Sequence, residues 1–150
     1  MTSQTYDVVI VGGGAVGSSI AYHLAAEPTF AGTVLVVERD PSYQKCSTAL
    51  SWAGIRQQFS TPECIGMSGY GVEFYRNAAT WLTVEDKVPD LGYVENGYLL
   101  LVDETKGEQA KANYDLQSEY GVAVEWLEKD QIAERFSEIN VEGISAATFG

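Results

Sequence analysis

Basic residues are scarce in this sequence. Its 150 residues include 9 Lys and Arg against 21 Asp and Glu, which gives a formal net charge of −12 at pH 7. Such a charge repels phosphate backbones and anionic lipid surfaces, so binding to nucleic acid or to a membrane surface would work against the protein's own field. We therefore expect neither partner. The hydrophobic content of 45% is that of an ordinary folded domain.

Histidine and cysteine are nearly absent. The one histidine of the sequence, His23, falls inside an apolar helical stretch, where a packing role is favoured over catalysis. With His23 set aside, neither a catalytic triad nor a histidine metal site is expected. Cys46 and Cys64 match no metal-site spacing and no CxxC redox pair, which is typical of a reducing compartment. We expect no bound metal.

Long apolar runs are missing too. No stretch approaches the roughly 20 apolar residues that span a bilayer. The first residues, MTSQTYDVVIVGGG, reach the first apolar run without a basic or Arg-rich leader. The sequence therefore favours a cytoplasmic protein without membrane insertion.

A strand–helix–strand pattern is present near the N-terminus. A β-branched run at residues 6–11 predicts a strand that is buried on both faces of a parallel sheet. Residues 15–26 carry apolar side chains at helical spacing. A second aliphatic run, residues 33–37, is closed by the charged tripeptide ERD. These residues predict a βαβ unit.

Three glycines in a row lie between the first strand and the helix, in the sequence GGGAVG. Gly12, Gly14 and Gly17 fit the G-x-G-x-x-G pattern. The first glycine permits a tight turn, the second lets the backbone approach a pyrophosphate, and the third lets the helix pack closely on the strand. The helix N-terminus adds unpaired N–H groups and a positive dipole. We therefore predict a dinucleotide site that is formed by Gly12, Gly13, Gly14, Ala15, Val16 and Gly17.

An acid follows near the spacing that this motif requires. Glu38 stands at the end of the second strand, roughly 20 residues after the glycines, where a carboxylate accepts hydrogen bonds from a ribose. An acid at this position disfavours the 2′-phosphate of NADP. FAD and NAD both stay open on these residues, because they present the same adenosine diphosphate half.

The rest of the sequence changes in character. Residues 41–60 predict a loop, and Thr61 predicts the N-cap of a helix whose apolar stripe continues to Leu82. Asn96-Gly97 lies between two strand-like runs and predicts a β-hairpin of residues 93–95 with residues 98–102. A helix over 105–120, a strand over 123–127, a short helix at 132–136 and a final strand follow.

The order of these elements predicts the fold class. It is α/β, with an incomplete Rossmann-like βαβ domain in residues 1–87 and the beginning of an α+β domain in residues 88–150.

Three segments carry a resemblance to a known family: VVIVGGGAVGSSIAYHLA, VLVVERD and CSTALSWAGIRQQFSTPECIGMS. They resemble the FAD-dependent oxidoreductases of the D-amino-acid oxidase (DAO) superfamily, which includes the sarcosine and glycine oxidases. The resemblance implies FAD as the cofactor, with the glycines at its pyrophosphate and Glu38 at its adenosine ribose. It also implies FAD contacts from Arg39, Ser47 and Thr48, and it makes residues 88–150 the start of a substrate-binding domain.

The loop after the second strand runs beside the flavin ring in that family. Arg56 resembles positions that approach the ring or the carboxylate of the substrate, so Arg56 is the catalytic candidate. A guanidinium can hold a carboxylate through two parallel hydrogen bonds. An exposed loop arginine that pairs with a neighbouring acid is an equal alternative. Cys46 is interpreted as an inert thiol rather than as a covalent flavin tether.

The reaction that the resemblance implies is the oxidation of an amino-acid-like amine, of the sarcosine, glycine or D-amino-acid type, by hydride transfer to FAD. The alternatives are a 2-hydroxy-acid dehydrogenase of the same superfamily, a non-catalytic FAD-binding assembly factor and an NAD-dependent dehydrogenase. A small-molecule substrate is expected, and the electron acceptor stays open. Family members are well over twice as long, so these 150 residues alone are expected to retain FAD poorly and to be inactive.

Overall fold

The computed structural model describes residues 4–150, which divide into two compact units between Gly54 and Ile55. The first unit contains strand β1 (Val8–Val11), helix α1 (Ala15–Ala26) and strand β2 (Val34–Val37). β1 and β2 are parallel, with Val8 opposite Val34 and Val11 opposite Val37. The predicted βαβ unit is therefore confirmed, and the helix has the predicted bounds.

A carboxylate fixes the start of the strand pair. The backbone N–H and the hydroxyl of Thr33 donate to Oδ2 of Asp7 at 2.7 and 2.8 Å. These bonds hold the pKa of Asp7 below its ordinary value, and the backbone N–H of Thr33 makes the largest contribution. The two strands thus enter the sheet in register, which brings their carboxyl ends to the same edge.

One face of this two-stranded sheet is not covered within the described residues, whereas Ile10 on the other face is buried. The exposed fraction is 54% at Val9 and 86% at Val11, and Val37 is exposed as well. The prediction of a strand buried on both faces is therefore wrong for the residues that the structure describes. The aliphatic pattern of β1 is typical of a strand covered on both faces, and burial of the second face would need a further layer packed on it.

The second unit opens with helices. Helix α2 spans Pro62–Arg76, and Oγ1 of Thr61 accepts a 3.4 Å hydrogen bond from Cys64 N–H, so the predicted N-cap is confirmed. The predicted continuation to Leu82 is wrong, because α2 stops before Asn77 and a separate helix α3 spans Ala78–Trp81. The Asn77 side chain donates to the carbonyl oxygen of Glu73, and this bond competes with helical hydrogen bonding.

Three antiparallel strands follow in the spatial order β3-β5-β4. The strands are β3 (Leu99–Asp103), β4 (Glu125–Glu128) and β5 (Ile144–Phe149), with helix α4 (Gly107–Glu119) between β3 and β4 and helix α5 (Lys129–Arg135) between β4 and β5. The predicted helix over 105–120, the strands over 98–102 and 123–127, the short helix at 132–136 and the final strand are confirmed within a few residues.

The predicted hairpin at Asn96-Gly97 is wrong. Residues 93–95 form no strand, and β3 pairs with β5 instead, with Leu99 opposite Phe149. Gly97 does have the positive φ of a turn residue, 76°. A Cβ at Gly97 would lie 2.8 Å from the Phe149 ring. A glycine is therefore needed at position 97 because the Phe149 ring of the central strand packs closely against it. The local sequence around Gly97 cannot reveal this distant contact.

The core of the second unit lies between the sheet and α5. Leu127, Ile132 and Ala147 are buried there, and Phe136 and Phe149 pack against them. Ile132 is fully buried. Within residues 4–150, no helix has both the length and the apolar character that crossing a membrane requires.

Two buried amides tie the first residues of this unit to its sheet region and to helix α4. Gln58 Nε2 donates to the carbonyl oxygen of Tyr98 at 3.3 Å, and Gln117 Nε2 donates to the carbonyl oxygen of Phe59 at 2.9 Å. The segment from Ile55 onwards therefore belongs to the second unit in this structure. The predicted domain boundary at residues 87/88 lies inside that unit, and it stays a prediction.

Candidate functional site

The glycine turn follows directly from β1. Gly12 has φ +97°, a left-handed conformation that disfavours side chains, and its N–H donates to the carbonyl oxygen of Val37 at 2.8 Å. The chain then turns into α1, whose N-cap is Gly14. The first N–H groups of this helix have no partner within the helix, so they are available to an anion.

The glycines differ in what a side chain would meet. A Cβ at Gly17 would lie 1.9 Å from the carbonyl oxygen of Gly12, so only glycine lets α1 pack this closely on the turn. A Cβ at Gly12 or Gly14 would meet nothing within 4 Å. The space in front of these two residues is open, as a cradle for a diphosphate requires.

Glu38 lies directly beside this turn. Its Oε2 accepts a hydrogen bond from Gly13 N–H at 2.7 Å, and its Oε1 accepts one from Asp40 N–H at 2.9 Å. These bonds, first that from Asp40 and then that from Gly13, hold the pKa of Glu38 below its ordinary value of 4.5. The carboxylate is therefore charged at neutral pH, and its remaining lone pairs can accept from ribose hydroxyls.

A cavity of about 650 Å³ opens at the carboxyl ends of β1 and β2. Ligands of open α/β sheets bind at this edge. Most of the predicted cofactor-binding residues line it, namely Gly12, Gly14, Ala15, Val16, Gly17, Glu38, Arg39, Ser47 and Thr48. Gly13 belongs to the site through its bond to Glu38. The structure thus brings together residues from the glycine turn, the end of β2 and the following loop.

Comparison with known proteins decides what kind of site this is. A family model described as "DAO: FAD dependent oxidoreductase" matches residues 7–149. The chain belongs to the DAO family. Members of this family depend on FAD, so the dinucleotide is FAD, and the open choice between FAD and NAD is settled.

Curated relatives of this DAO-family chain carry the name FAD-dependent oxidoreductase domain-containing protein 1. The one from Xenopus laevis is 45% identical over 148 residues, which is 96% of this chain and 30% of the relative. The one from Bos taurus is 43% identical over 147 residues, again 96% of this chain and 30% of the relative. The chain thus spans about a third of the length of these relatives.

Solved structures show the same fold. L-proline dehydrogenase from P. horikoshii matches with a TM-score of 0.76 at 24% identity, covering 99% of this chain and 37% of that one. Glycine oxidase from Geobacillus kaustophilus matches with a TM-score of 0.71 at 24% identity, covering 98% of this chain and 39% of that one. The predicted fold class, an incomplete Rossmann-like βαβ domain followed by an α+β region, is confirmed.

The residues of the cavity fit an FAD of the DAO family. The open cradle at Gly12 and Gly14 leaves room for a diphosphate, the N-terminus of α1 can donate N–H groups to it, and the charged Glu38 can accept hydrogen bonds from a ribose. Individual contacts of Arg39, Ser47 and Thr48 with FAD stay predictions, although all three residues line the cavity.

Sequence reasoning missed several residues of this cavity. Asp40, Tyr43, Lys45 and Cys46 also line it. Lys45 takes part in none of the ion pairs found in residues 4–150, and a free cation is a natural partner for a diphosphate. The sequence did contain a signal for Lys45. This lysine is one of nine basic residues in an acidic chain, and it lies seven positions after Glu38.

The catalytic candidate Arg56 lies in the second unit. It is exposed, and its Cζ lies 4.7 Å from the centroid of the Phe59 ring. No carboxylate of residues 4–150 forms an ion pair with it, so the alternative of an acid-paired loop arginine is not what the structure shows. Arg56 lines a cavity of about 360 Å³ together with Gln58 and Lys106. Its approach to a flavin stays a prediction.

Of the remaining candidates, Cys46 lines the FAD cavity, whereas His23 and Cys64 do not. His23 is exposed on α1, with its ring 5.1 Å from that of Tyr22, and it is not among the residues that line the FAD cavity. Cys46 and Cys64 are both free thiols. Residues 4–150 contain no group of three His, Cys, Asp or Glu side chains with the geometry of a metal site.

Proposed function

We propose that this chain forms the FAD-binding part of an enzyme that oxidises an amino-acid-like amine. The observation that carries the proposal is the glycine turn beside a charged Glu38 in a chain of the DAO family. The proteins with the same fold act, by their names, on L-proline and on glycine. An amine next to a carboxylate is the chemistry that these two names share.

The residues of the first unit would bind and orient the cofactor. The N–H groups at the start of α1 and the cation of Lys45 offset the charge of the diphosphate. Glu38 fixes the adenosine end through the ribose. When bound, FAD supplies a ring that accepts a hydride from the carbon beside the amine nitrogen, which leaves an imine that water hydrolyses.

Arg56 would hold the substrate. An exposed guanidinium without an acid partner can bind a carboxylate through two parallel hydrogen bonds. Fixing the carboxylate orients the C–H bond that breaks, and positioning of this kind accounts for much of the rate in such reactions. The partner that this function requires is a small molecule, and an acceptor must take the electrons onwards.

The experiment is anaerobic reduction of the purified flavoprotein in which these 150 residues form the FAD-binding part. Glycine, sarcosine, L-proline and a set of D-amino acids are added in turn, and the loss of flavin absorbance near 450 nm, about the usual flavin maximum, is recorded. Bleaching by at least one of these amines is expected. Bleaching by 2-hydroxy acids alone would replace the proposal by a hydroxy-acid dehydrogenase, and a flavin that no compound reduces would indicate a non-catalytic FAD-binding protein.

A substitution of Arg56 tests its role in substrate binding separately. Arg56→Gln should raise KM for the amine about tenfold or more, because a charge-assisted hydrogen bond to the carboxylate is lost, while the dissociation constant of FAD stays the same. Arg135→Gln is the matched control, since Arg135 is also exposed but pairs with Glu125 at 2.8 Å. An unchanged KM in Arg56→Gln would remove Arg56 from the substrate site.

A further inference from the structure

Tyr43 occupies a position beside the glycine turn that nothing so far explains. A Cβ added to Gly13 would lie 2.7 Å from the phenolic oxygen of Tyr43, 3.4 Å from Cγ1 of Val36 and 3.5 Å from Cβ of Glu38. The phenol therefore lies against the glycine turn and next to the acid that faces the ribose. We propose that Tyr43 is part of the FAD site and that its ring packs against the adenosine half of the cofactor.

The backbone holds Tyr43 in an unusual conformation. Its φ of +55° lies in the left-handed region, which is uncommon for a residue with a large side chain. Two hydrogen bonds fix this geometry: Tyr43 N–H donates to Asp40 O at 3.0 Å, and Cys46 N–H donates to Tyr43 O at 3.1 Å. A strained residue that its surroundings hold in place is typical of binding sites.

A second set of bonds fixes the turn before it. The N–H and the hydroxyl of Ser42 both donate to Oδ1 of Asp40, at 3.0 and 2.6 Å. The N–H of Asp40 itself donates to Glu38. The loop from Glu38 to Tyr43 is thus one hydrogen-bonded chain, and it places the ring at a defined distance from the ribose-binding carboxylate.

The side chain of Tyr43 is available to a ligand. Its exposed fraction is 39%, it lines the FAD cavity, and no group of residues 4–150 forms a hydrogen bond with its hydroxyl. An aromatic ring offers a flat apolar surface to a ribose or an adenine at small cost in side-chain entropy, and the hydroxyl can donate to a ribose or phosphate oxygen. The position beside Glu38 selects the adenosine half rather than the flavin half.

The test is direct binding, independent of any substrate. ADP serves as the adenosine probe and FAD as the whole cofactor, and dissociation constants are measured by titration calorimetry on the intact protein freed of flavin. Tyr43→Ala should weaken both ligands by a similar factor of about ten, the size of one lost aromatic contact. Tyr43→Phe, which keeps the ring, should lose much less affinity for both ligands. Tyr120→Ala, an exposed tyrosine of the second unit, is the control and should bind both as the original protein does.

A double variant separates the contact from a loss of folding. Gly13→Ala alone places a methyl group against the phenol and should weaken ADP binding. In the Tyr43→Ala background the other two nearest atoms to this methyl, Cγ1 of Val36 and Cβ of Glu38, lie at the ordinary distances of 3.4 and 3.5 Å, so the further loss should be smaller than in the original protein. Unchanged ADP binding in Tyr43→Ala, weakening of FAD without weakening of ADP, or fully additive losses in the double variant would each overturn the proposal. None of these results depends on whether the protein oxidises amines.

Discussion

The carboxylate of Glu38 connects the glycine turn with the loop that follows β2. One of its oxygens accepts from Gly13 N–H and the other from Asp40 N–H. The same side chain that is expected to bind the ribose therefore also holds the protein part of the site together. Substitution of Glu38 should therefore weaken cofactor binding more than substitution of an isolated surface acid would.

Glu38→Gln keeps the size of the side chain and removes its charge. One amide oxygen can then accept where two carboxylate oxygens did, so we expect FAD binding to weaken about tenfold or more. Fluorescence titration with FAD measures the change. Glu63→Gln on α2 is the control, because Glu63 is an exposed first-turn acid of the other unit. Equal affinities of Glu38→Gln and the original protein would contradict the assigned role.

The lowered pKa of Glu38 predicts a pH dependence. A carboxyl group whose folded pKa is depressed contributes stability that is complete above its ordinary pKa, here 4.5, and is lost as the pH falls through the folded pKa. Protonation of Glu38 also removes the negative charge that is expected to bind the ribose. FAD affinity should therefore be constant from about pH 6 to 8 and should fall only below pH 4.5.

Other acids with lowered pKa values, such as Asp7, also protonate in that range. The comparison with Glu38→Gln isolates the contribution of Glu38: the ratio of the two FAD affinities should shrink as the pH falls below 4.5. A ratio that is independent of pH would exclude this residue as the titrating group.

At the scale of elements, the packing of α1 on β1 depends on a glycine. A Cβ at Gly17 would lie 1.9 Å from the carbonyl oxygen of Gly12, a backbone atom that cannot move away alone. Gly17→Ala should therefore push the helix off the turn, with a loss of about 1–3 kcal/mol in the free energy of unfolding and a loss of FAD binding.

Gly66→Ala is the matched control for that change. Gly66 lies inside α2, and a Cβ there meets nothing within 4 Å. The same substitution should therefore stabilise that helix by about 0.5–1 kcal/mol. Chemical denaturation measures both variants. A Gly17→Ala protein as stable as Gly66→Ala would show that the close packing of α1 is not required.

The link between residues 55–60 and the rest of the second unit, helix α4 included, depends on buried amides. Gln58 and Gln117 are each 4% exposed, and Gln117 donates to the carbonyl oxygen of Phe59. Gln117→Ala leaves that buried oxygen without its partner and creates a cavity, so the free energy of unfolding should fall by about 1–3 kcal/mol. Gln109→Ala on the exposed side of the same helix should change it little. Equal effects of the two variants would contradict a role for the buried bond.

Across the whole molecule, local patterns predicted the first unit well and the second less well. The βαβ unit, the glycine turn and Glu38 lie close together in sequence, so their spacing carries the geometry. The partner of β3 could not be inferred in this way, because Leu99 pairs with Phe149 at the far end of the unit. Asn96-Gly97 is equally compatible with a hairpin and with the close ring approach that the structure shows.

The same limit applies to the candidate site. The motif identified the residues of the glycine turn, which are expected to hold the dinucleotide through backbone geometry. Family resemblance added the candidates of the following loop. Tyr43 was not identified from the sequence, because its position against Gly13 arises from a series of hydrogen-bonded turns that no sequence pattern predicts. Arg56 was identified by resemblance, and the structure shows its surroundings within the second unit without showing what it binds.

The central claim is that the open cradle at the glycine turn holds the diphosphate of FAD. Gly14→Val tests it most directly, because a Cβ at Gly14 meets no atom beyond its chain neighbours within 4 Å, so the substitution adds volume where the protein leaves open space. Calorimetric titration of the flavin-free protein should show FAD binding that weakens about a hundredfold or more in the variant, while the apoprotein melts at nearly the same temperature. FAD binding that is as tight in Gly14→Val as in the original protein would contradict the account.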